Sequence, residues 1–169
     1  ILGATGNVWT GTTGAKSWFA DAKAELALGS HWQLSGSYRR GWTRIGAAGL
    51  RGSADWLQTD AWSVDVTRLG VFSLRDQLAL RMSQPLRVNS GGVNLRLPTS
   101  YDYATLSAGF ENRFVSLSPT GREQDIELAY ASPLWGGSFG ANLFWRQEPG
   151  NIAAAPDDIG LALRFNRRF

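Results

Sequence analysis

The sequence predicts an all-β chain, an antiparallel β-barrel whose strands turn one face to lipid and the other to an enclosed polar space. Three observations predict it. Apolar and polar residues alternate through most of the 169 positions, and the side chains of a strand point alternately to opposite faces. No stretch is long and apolar enough for a membrane helix, which takes about 20 such residues. Yet the chain carries 8 tryptophans and 20 glycines, residues suited to the headgroup level and to turns and curved sheet. A hydrophobic content of 43% does not oppose a membrane setting, because barrel strands hide their lipid face in alternation.

Composition removes several classes of function. Cysteine is absent, so disulfides and thiolate metal sites are excluded. The net charge of +3 is small and its basic residues are dispersed, which leaves no footprint for nucleic acid. At Ile1 there is no basic segment leading into an apolar one, so an export signal is expected to have been removed or to lie outside the sequence, and the chain to be a fragment or a processed product.

Residues 2–10 predict a weak strand with Val8 and Trp9 as its large side chains. From Lys16 the pattern sharpens. Trp18, Ala20, Ala22, Ala24, Leu26 and Leu28 share one face, and Phe19, Asp21, Lys23 and Glu25 share the other. A helix over this stretch competes on propensity, but the strict alternation favours a strand. Charges of both signs on one face are costly against lipid and acceptable in a wet lumen. Gly29-Ser30 predicts a tight turn into a second strand, with Trp32, Leu34, Tyr38 and Trp42 opposed by Gln33, Ser35, Ser37, Arg39 and Thr43. Arg40 sits on the apolar face near the strand end. Residues 45–58 predict a longer glycine-rich loop. Trp62, Val64 and Val66 then alternate with Ser63, Asp65 and Thr67, and a turn over 70–76 leads to Leu78, Leu80, Met82, Leu86 and Val88 against Ala79, Arg81, Ser83 and Arg87.

Ser90-Gly91-Gly92 predicts the tip of a hairpin over 84–98. Short turns at 29–30, 70–76 and 134–137 alternate with long loops at 45–58, 84–122 and 148–157. Outer-membrane barrels keep short turns in the periplasm, so 84–122 is expected to be a long extracellular hairpin. Ile126, Leu128 and Tyr130 oppose Asp125, Glu127 and Ala129. After the turn at Pro133–Gly137, Phe139, Ala141, Leu143 and Trp145 oppose Gly140, Asn142 and Arg146. The terminal strand sets Ile159, Leu161, Leu163, Phe165 and Phe169 against Gly160, Ala162, Arg164, Asn166 and Arg168. The expected total is about eight spans, the first of them within residues 2–10. Spans of about ten residues tilted near 40° reach roughly 25 Å, the height of a lipid-facing band.

The lumen candidates are Asp21, Lys23, Glu25, Arg39, Asp65, Arg81, Asp125, Glu127, Asn142, Arg146 and Arg164, with Arg81 and Arg164 expected to pair with Asp125 and Glu127. Trp18, Trp32, Trp42, Trp62, Tyr130, Trp135 and Trp145 are expected to form an aromatic girdle.

Chemistry-bearing patterns are sparse. His31 is the lone histidine and falls in a turn, with no serine and carboxylate arranged around it as a catalytic set. One histidine and no cysteine give no metal spacing. Asp157-Asp158 reads as a solvated loop, and Asp125 with Glu127 reads as a partner for arginines rather than an acid–base pair. Gly91-Gly92 and Gly136-Gly137 read as turn glycines. No enzyme activity, cofactor or metal is expected.

The terminal strand, with Leu161, Leu163 and Phe165 leading to a carboxyl-terminal Phe169, resembles the signal by which bacterial outer-membrane barrels are recognised for insertion. Arg167 departs from it, where an apolar residue is usual. Residues 83–88 (SQPLRV), 97–105 (LPTSYDYAT), 117–130 (LSPTGREQDIELAY) and 143–169 resemble the carboxyl-terminal β-domain of autotransporters, notably those whose passenger is a subtilisin-like serine peptidase. The resemblance implies a translocator domain over residues 1–169, in the bacterial outer membrane, that anchors an N-terminal passenger and helps export it to the cell surface. Its implied partners are outer-membrane lipid, the barrel-assembly machinery, and the passenger or barrel strands lying upstream. Such domains close twelve strands, and this chain is too short for that. It is therefore expected to be the C-terminal part of such a barrel, or a smaller barrel of related sequence. Two other readings stay open: a self-contained outer-membrane barrel for binding or lipid modification, and a soluble β-sandwich binding module.

Overall fold

A computed structural model describes residues 15–46 and 55–167 of the chain. The strand expected within 2–10 lies outside the described residues. Eight strands form one antiparallel sheet: β1 (Ala15–Leu28), β2 (Trp32–Ile45), β3 (Asp55–Leu69), β4 (Gln77–Asp102), β5 (Ser107–Ser116), β6 (Gln124–Leu134), β7 (Gly137–Gln147) and β8 (Asp158–Asn166). They run in the order β1-β2-β3-β4-β6-β7-β8, and β5 pairs with β4 off this path. Among the described residues the sheet is not closed, and β1 and β8 end this path. The fold is thus all-β and antiparallel, as the alternation required.

The chain divides into two compact units, Ile1–Ala20, Arg40–Thr59 and Val88–Ser118 in one, and Asp21–Arg39, Asp60–Arg87 and Pro119–Phe169 in the other. In the second unit the registers are regular. Leu80 stands opposite Leu128, Leu128 opposite Leu143, and Leu143 opposite Leu161. The neighbouring row runs Arg81, Glu127, Phe144, Gly160. Residues one apart on a strand face opposite sides, so the leucine row alternates with one that is polar or small except at Phe144, whose ring lies against Gly160. The β6–β7 connection is a two-residue turn in which Trp135 and Gly136 take φ of 49° and 73°. Positive φ at both positions matches the twist of antiparallel strands.

The connections are bonded rather than loose. The Arg87 guanidinium donates to the carbonyls of Gly121 and Pro119 at 2.9 and 3.0 Å. Gly121 N–H donates to Asn151 O at 2.9 Å, Glu123 N–H to Asn151 Oδ1 at 3.1 Å, and Gly150 N–H to Glu123 Oε2 at 2.6 Å. These bonds fasten the segment before β6 to the β7–β8 loop.

In the first unit two sequence expectations are corrected. The loop placed over 45–58 is shorter, because β2 runs to Ile45 and β3 starts at Asp55, and Ile45 and Leu57 are buried hydrophobic residues. Ser90-Gly91-Gly92 is not a hairpin tip. Strand β4 continues through it, and the turn falls at 103–106 before β5. Asp102 Oδ1 accepts from Ala104 N–H at 2.8 Å at that turn. Gly91 has φ 108°, and a Cβ there would lie 2.9 Å from Leu57 Cα, so glycine serves close approach of β4 to β3. The eighth strand is therefore β5, the return arm of this hairpin.

Aromatic rings cover glycines on adjacent strands in both units. Phe19 lies over Gly41, where an added Cβ would sit 2.6 Å from its ring, and Phe144 lies over Gly160, where an added Cβ would come closer still. The ring replaces the packing a glycine cannot supply in a strand. Gly160→Ala is expected to displace the Phe144 ring and lower stability by about 1–3 kcal/mol in urea unfolding followed by fluorescence. The same substitution in a Phe144→Ala background should cost far less. Equal costs in both backgrounds would overturn this packing.

Candidate functional site

Alternation gives the sheet two chemically distinct faces, and the second unit shows both. On one face the leucine row is open: Leu80, Leu128, Leu143 and Leu161 are 43%, 41%, 48% and 65% exposed. Side-by-side leucines on neighbouring strands reach such exposure only when no second layer is stacked on them. Leu26, Leu28, Val64, Met82, Ile159, Leu163 and Phe165 are also exposed. A patch of this extent is more than a water-facing surface usually carries.

The other face is polar and cross-linked. Asp21 accepts from Arg39 Nε at 2.5 Å across β1 and β2. Asp65 binds Arg81 across β3 and β4 and accepts from Ser35 at 3.4 Å. Ser37 and Ser63 hydroxyls are 2.9 Å apart. Across β6, β7 and β8, Arg146 meets Asp125 at 3.1 Å, Glu123 at 3.2 Å and Asp158 at 3.8 Å. A guanidinium has five donors in a fixed fork, so one arginine holds three carboxylates. Lys23 and Glu25 extend the face of Asp21 along β1.

The structure moves two of the expected partnerships. Arg164 lies on β8, separated from β6 by β7, and donates to Asn166 Oδ1 at 3.3 Å rather than to Asp125 or Glu127. Arg81 stands opposite Glu127 in register, and its ion pair is with Asp65. Asn142 faces Ala129 and Ala162, and its buried Oδ1 has no hydrogen-bond partner among the described residues.

The aromatic residues sort by what covers them. The Arg68 guanidinium lies 5.3 Å over the Trp32 ring in one unit, and in the other Arg40 lies 5.7 Å over Trp42 and Arg44 5.8 Å over Trp56. A cation over an indole face is attracted to the ring's electron density, and its stem lies along apolar surface. Trp56, Arg44 and Arg68 were not singled out in the sequence. Trp18 is exposed on β1, and Trp135 is exposed in its turn, edge-on to Phe165 at 6.3 Å. Trp145 Nε1 donates to Asp157 Oδ2 at 3.1 Å. Trp62 falls at the middle of β3 rather than near an end. Of the terminal signal, Leu161, Leu163 and Phe165 share the apolar face of β8, and Phe169 lies outside the described residues.

One buried charge had no forerunner in the sequence reading. Asp76 is 2% exposed and closes the β3–β4 turn. Its Oδ1 accepts from Val71 N–H at 2.7 Å, and its Oδ2 from Phe72 N–H at 2.9 Å, Ser73 N–H at 3.0 Å and the Tyr130 hydroxyl at 3.0 Å. Burial pushes this carboxyl up, but the donors from Phe72, Tyr130, Val71 and Ser73 outweigh it and hold it below the ordinary aspartate value. Four donors on one carboxylate stabilise its charged form. His31 sits in the β1–β2 turn with its Nδ1 2.7 Å from Ser30 Oγ, and its carbonyl accepts from Leu69 N–H at 2.8 Å. Among the described residues no group of three or more His, Cys, Asp and Glu is placed to hold a metal, and no helix is long and apolar enough to cross a membrane.

Because the folded Asp76 titrates below the unfolded value near 3.9, its contribution is fully present above that pH and is lost as pH falls through the folded value. Protection of the Val71, Phe72 and Ser73 amides from hydrogen exchange is therefore expected to collapse at acid pH in the native chain. In Asp76→Asn it should be weak at neutral pH and lose its step with acid. An unchanged protection profile would remove Asp76 from this role.

Comparison with protein-family models, with curated proteins and with solved structures finds no match to this chain.

Proposed function

We propose that the chain forms the wall of an outer-membrane β-barrel that anchors an N-terminal passenger and helps carry it to the cell surface. The observation that carries this reading is the pairing of an uncovered leucine face with an opposite face joined by ion pairs. Acyl chains would cover the first, and water enclosed by the sheet would solvate the second. The Arg–Trp pairs suit the level where a tryptophan meets headgroups and an arginine can reach water. The apolar side of β8 presents Leu161, Leu163 and Phe165, in keeping with the insertion signal that the sequence resembles.

A bilayer demands that every backbone N–H and C=O be paired, so this reading requires partners for the outer edges of β1 and β8. Those partners are each other or further strands of the same protein. The translocating role rests on the resemblance to autotransporter β-domains and requires a lumen wide enough once the barrel is closed. Within it, Asp21, Arg39, Asp65, Arg81, Asp125 and Arg146 would act together as a wetted wall without performing covalent chemistry.

The membrane half is tested by two substitutions one residue apart. Leu128→Arg is expected to cost about 2–4 kcal/mol for folding into lipid vesicles, the penalty for a lipid-facing arginine. Ala129→Gln, on the polar face beside Asn142, should change stability by no more than about 0.5 kcal/mol. A water-exposed leucine face would make Leu128→Arg almost neutral, and a chain that stays soluble without detergent and shows no heat-dependent gel migration would end the membrane assignment. For the export half, a reporter joined ahead of the barrel in its full reading frame should become accessible to external protease. A reporter held in the periplasm beside an inserted barrel would reduce the function to anchorage.

A further inference from the structure

The hairpin arm made by β5 and residues 92–102 of β4 lies wholly in one unit. Among the described residues β5 pairs with β4 alone, so its other edge offers unpaired backbone groups from Ser107 to Ser116. Natural edge strands are usually blunted by lysine, proline or inward charge. Residues 107–116 (SAGFENRFVS) contain no lysine or proline, and their side chains are exposed along nearly the whole strand. The two charged residues, Glu111 and Arg113, stand opposite Leu97 and Leu95 on β4, so neither has its counter-charge across the ribbon.

We propose that two copies of this chain associate edge to edge through β5, antiparallel and centred on Asn112. In that register residue numbers on the two strands sum to a constant, and Glu111 of each copy falls opposite Arg113 of the other. The same register sets Phe110 against Phe114 on the opposite face, where Arg96 already lies 5.1 Å over the Phe110 ring. Opposite charges and paired aromatics directly across strands both favour pairing. Shifting the centre to residue 111 or 113 would set Glu111 against Glu111 or Arg113 against Arg113, which disfavours those registers. The contact is isologous: one patch meets itself about a two-fold axis. It requires no membrane, so it stands apart from the function proposed above.

The test uses the intact chain in detergent, where sedimentation should show a concentration-dependent dimer. Glu111→Arg and Arg113→Glu alone each turn both symmetry-related pairs like-charged and should raise the dimer dissociation constant about tenfold. The double variant Glu111→Arg with Arg113→Glu reverses the pairs and should restore it. The chain has no cysteine, so Asn112→Cys supplies one thiol on the axis and should crosslink under mild oxidation. Ser107→Cys should not crosslink with itself, whereas a mixture of Ala108→Cys and Ser116→Cys chains should. A monomer at every concentration, single reversals without effect, a double variant as weak as the singles, or Asn112→Cys no more reactive than Ser107→Cys would each overturn the proposal.

Discussion

The structure depends on one constraint, that neighbouring side chains of a paired strand cannot point the same way. Once the β4–β6, β6–β7 and β7–β8 ladders are in register, every odd or even set on a strand is committed to one face. A slip of one residue in any ladder would bring leucines into the arginine rows and carboxylates among the leucines. With lipid over the leucine face, as proposed, a charge placed there without its partner costs several kcal/mol, so a slip is opposed by that face and by the broken ion pairs of the other. This two-sided penalty specifies the register where a sheet with one indifferent face would tolerate slippage. The Arg146 cluster adds to it, since its three carboxylates come from β6, β8 and the segment just before β6, and a shift of the β6–β7 or β7–β8 ladder would break the set.

The same constraint explains which parts of the fold were legible. Alternation is a property of single strands, so the seven strands of the main path could be read from Trp18 to Phe165 without knowledge of their neighbours. Turn positions at Gly29, Gly70–Asp76 and Trp135-Gly136 were legible because glycine at positive φ leaves a local mark. Partnership across strands was not. Arg164 lies close in sequence to the β8 apolar run and far from any known neighbour, and only the strand order shows that β7 stands between it and β6. Asp76 was invisible for a related reason. Its meaning comes from three amides of its own turn and a tyrosine on β6, and an aspartate ending a loop ordinarily reads as solvated.

The Gly91-Gly92 misreading has a more specific cause. A glycine pair is compatible with two opposite backbone demands, a reversal of direction and the close approach of a neighbouring chain. Sequence pattern favours the first, because alternation resumes at Val93 as it would after a turn. The deciding atoms belong to β3, whose Trp56 and Leu57 backbone lies where a Cβ at 91 would go. Since that segment itself read as loop, nothing local could choose. Two errors were therefore one: shortening the 45–58 loop supplies the strand that turns Gly91 from a tip into a contact.

The polar face raises a question of energetics that its geometry answers. Exposed ion pairs between strands contribute little in water, so Asp21 with Arg39 and Asp65 with Arg81 are poor candidates for holding the sheet together. Their value lies in what their absence would do. A face lined with apolar residues would collapse onto itself or draw a second sheet over it, and the leucine face would then have no reason to remain outermost. Charges paired between neighbouring strands keep water on one side of the sheet. The asymmetry therefore comes from both sets of side chains together, and in the proposed setting the leucines could face lipid only because the arginines and carboxylates keep the opposite surface from becoming the core.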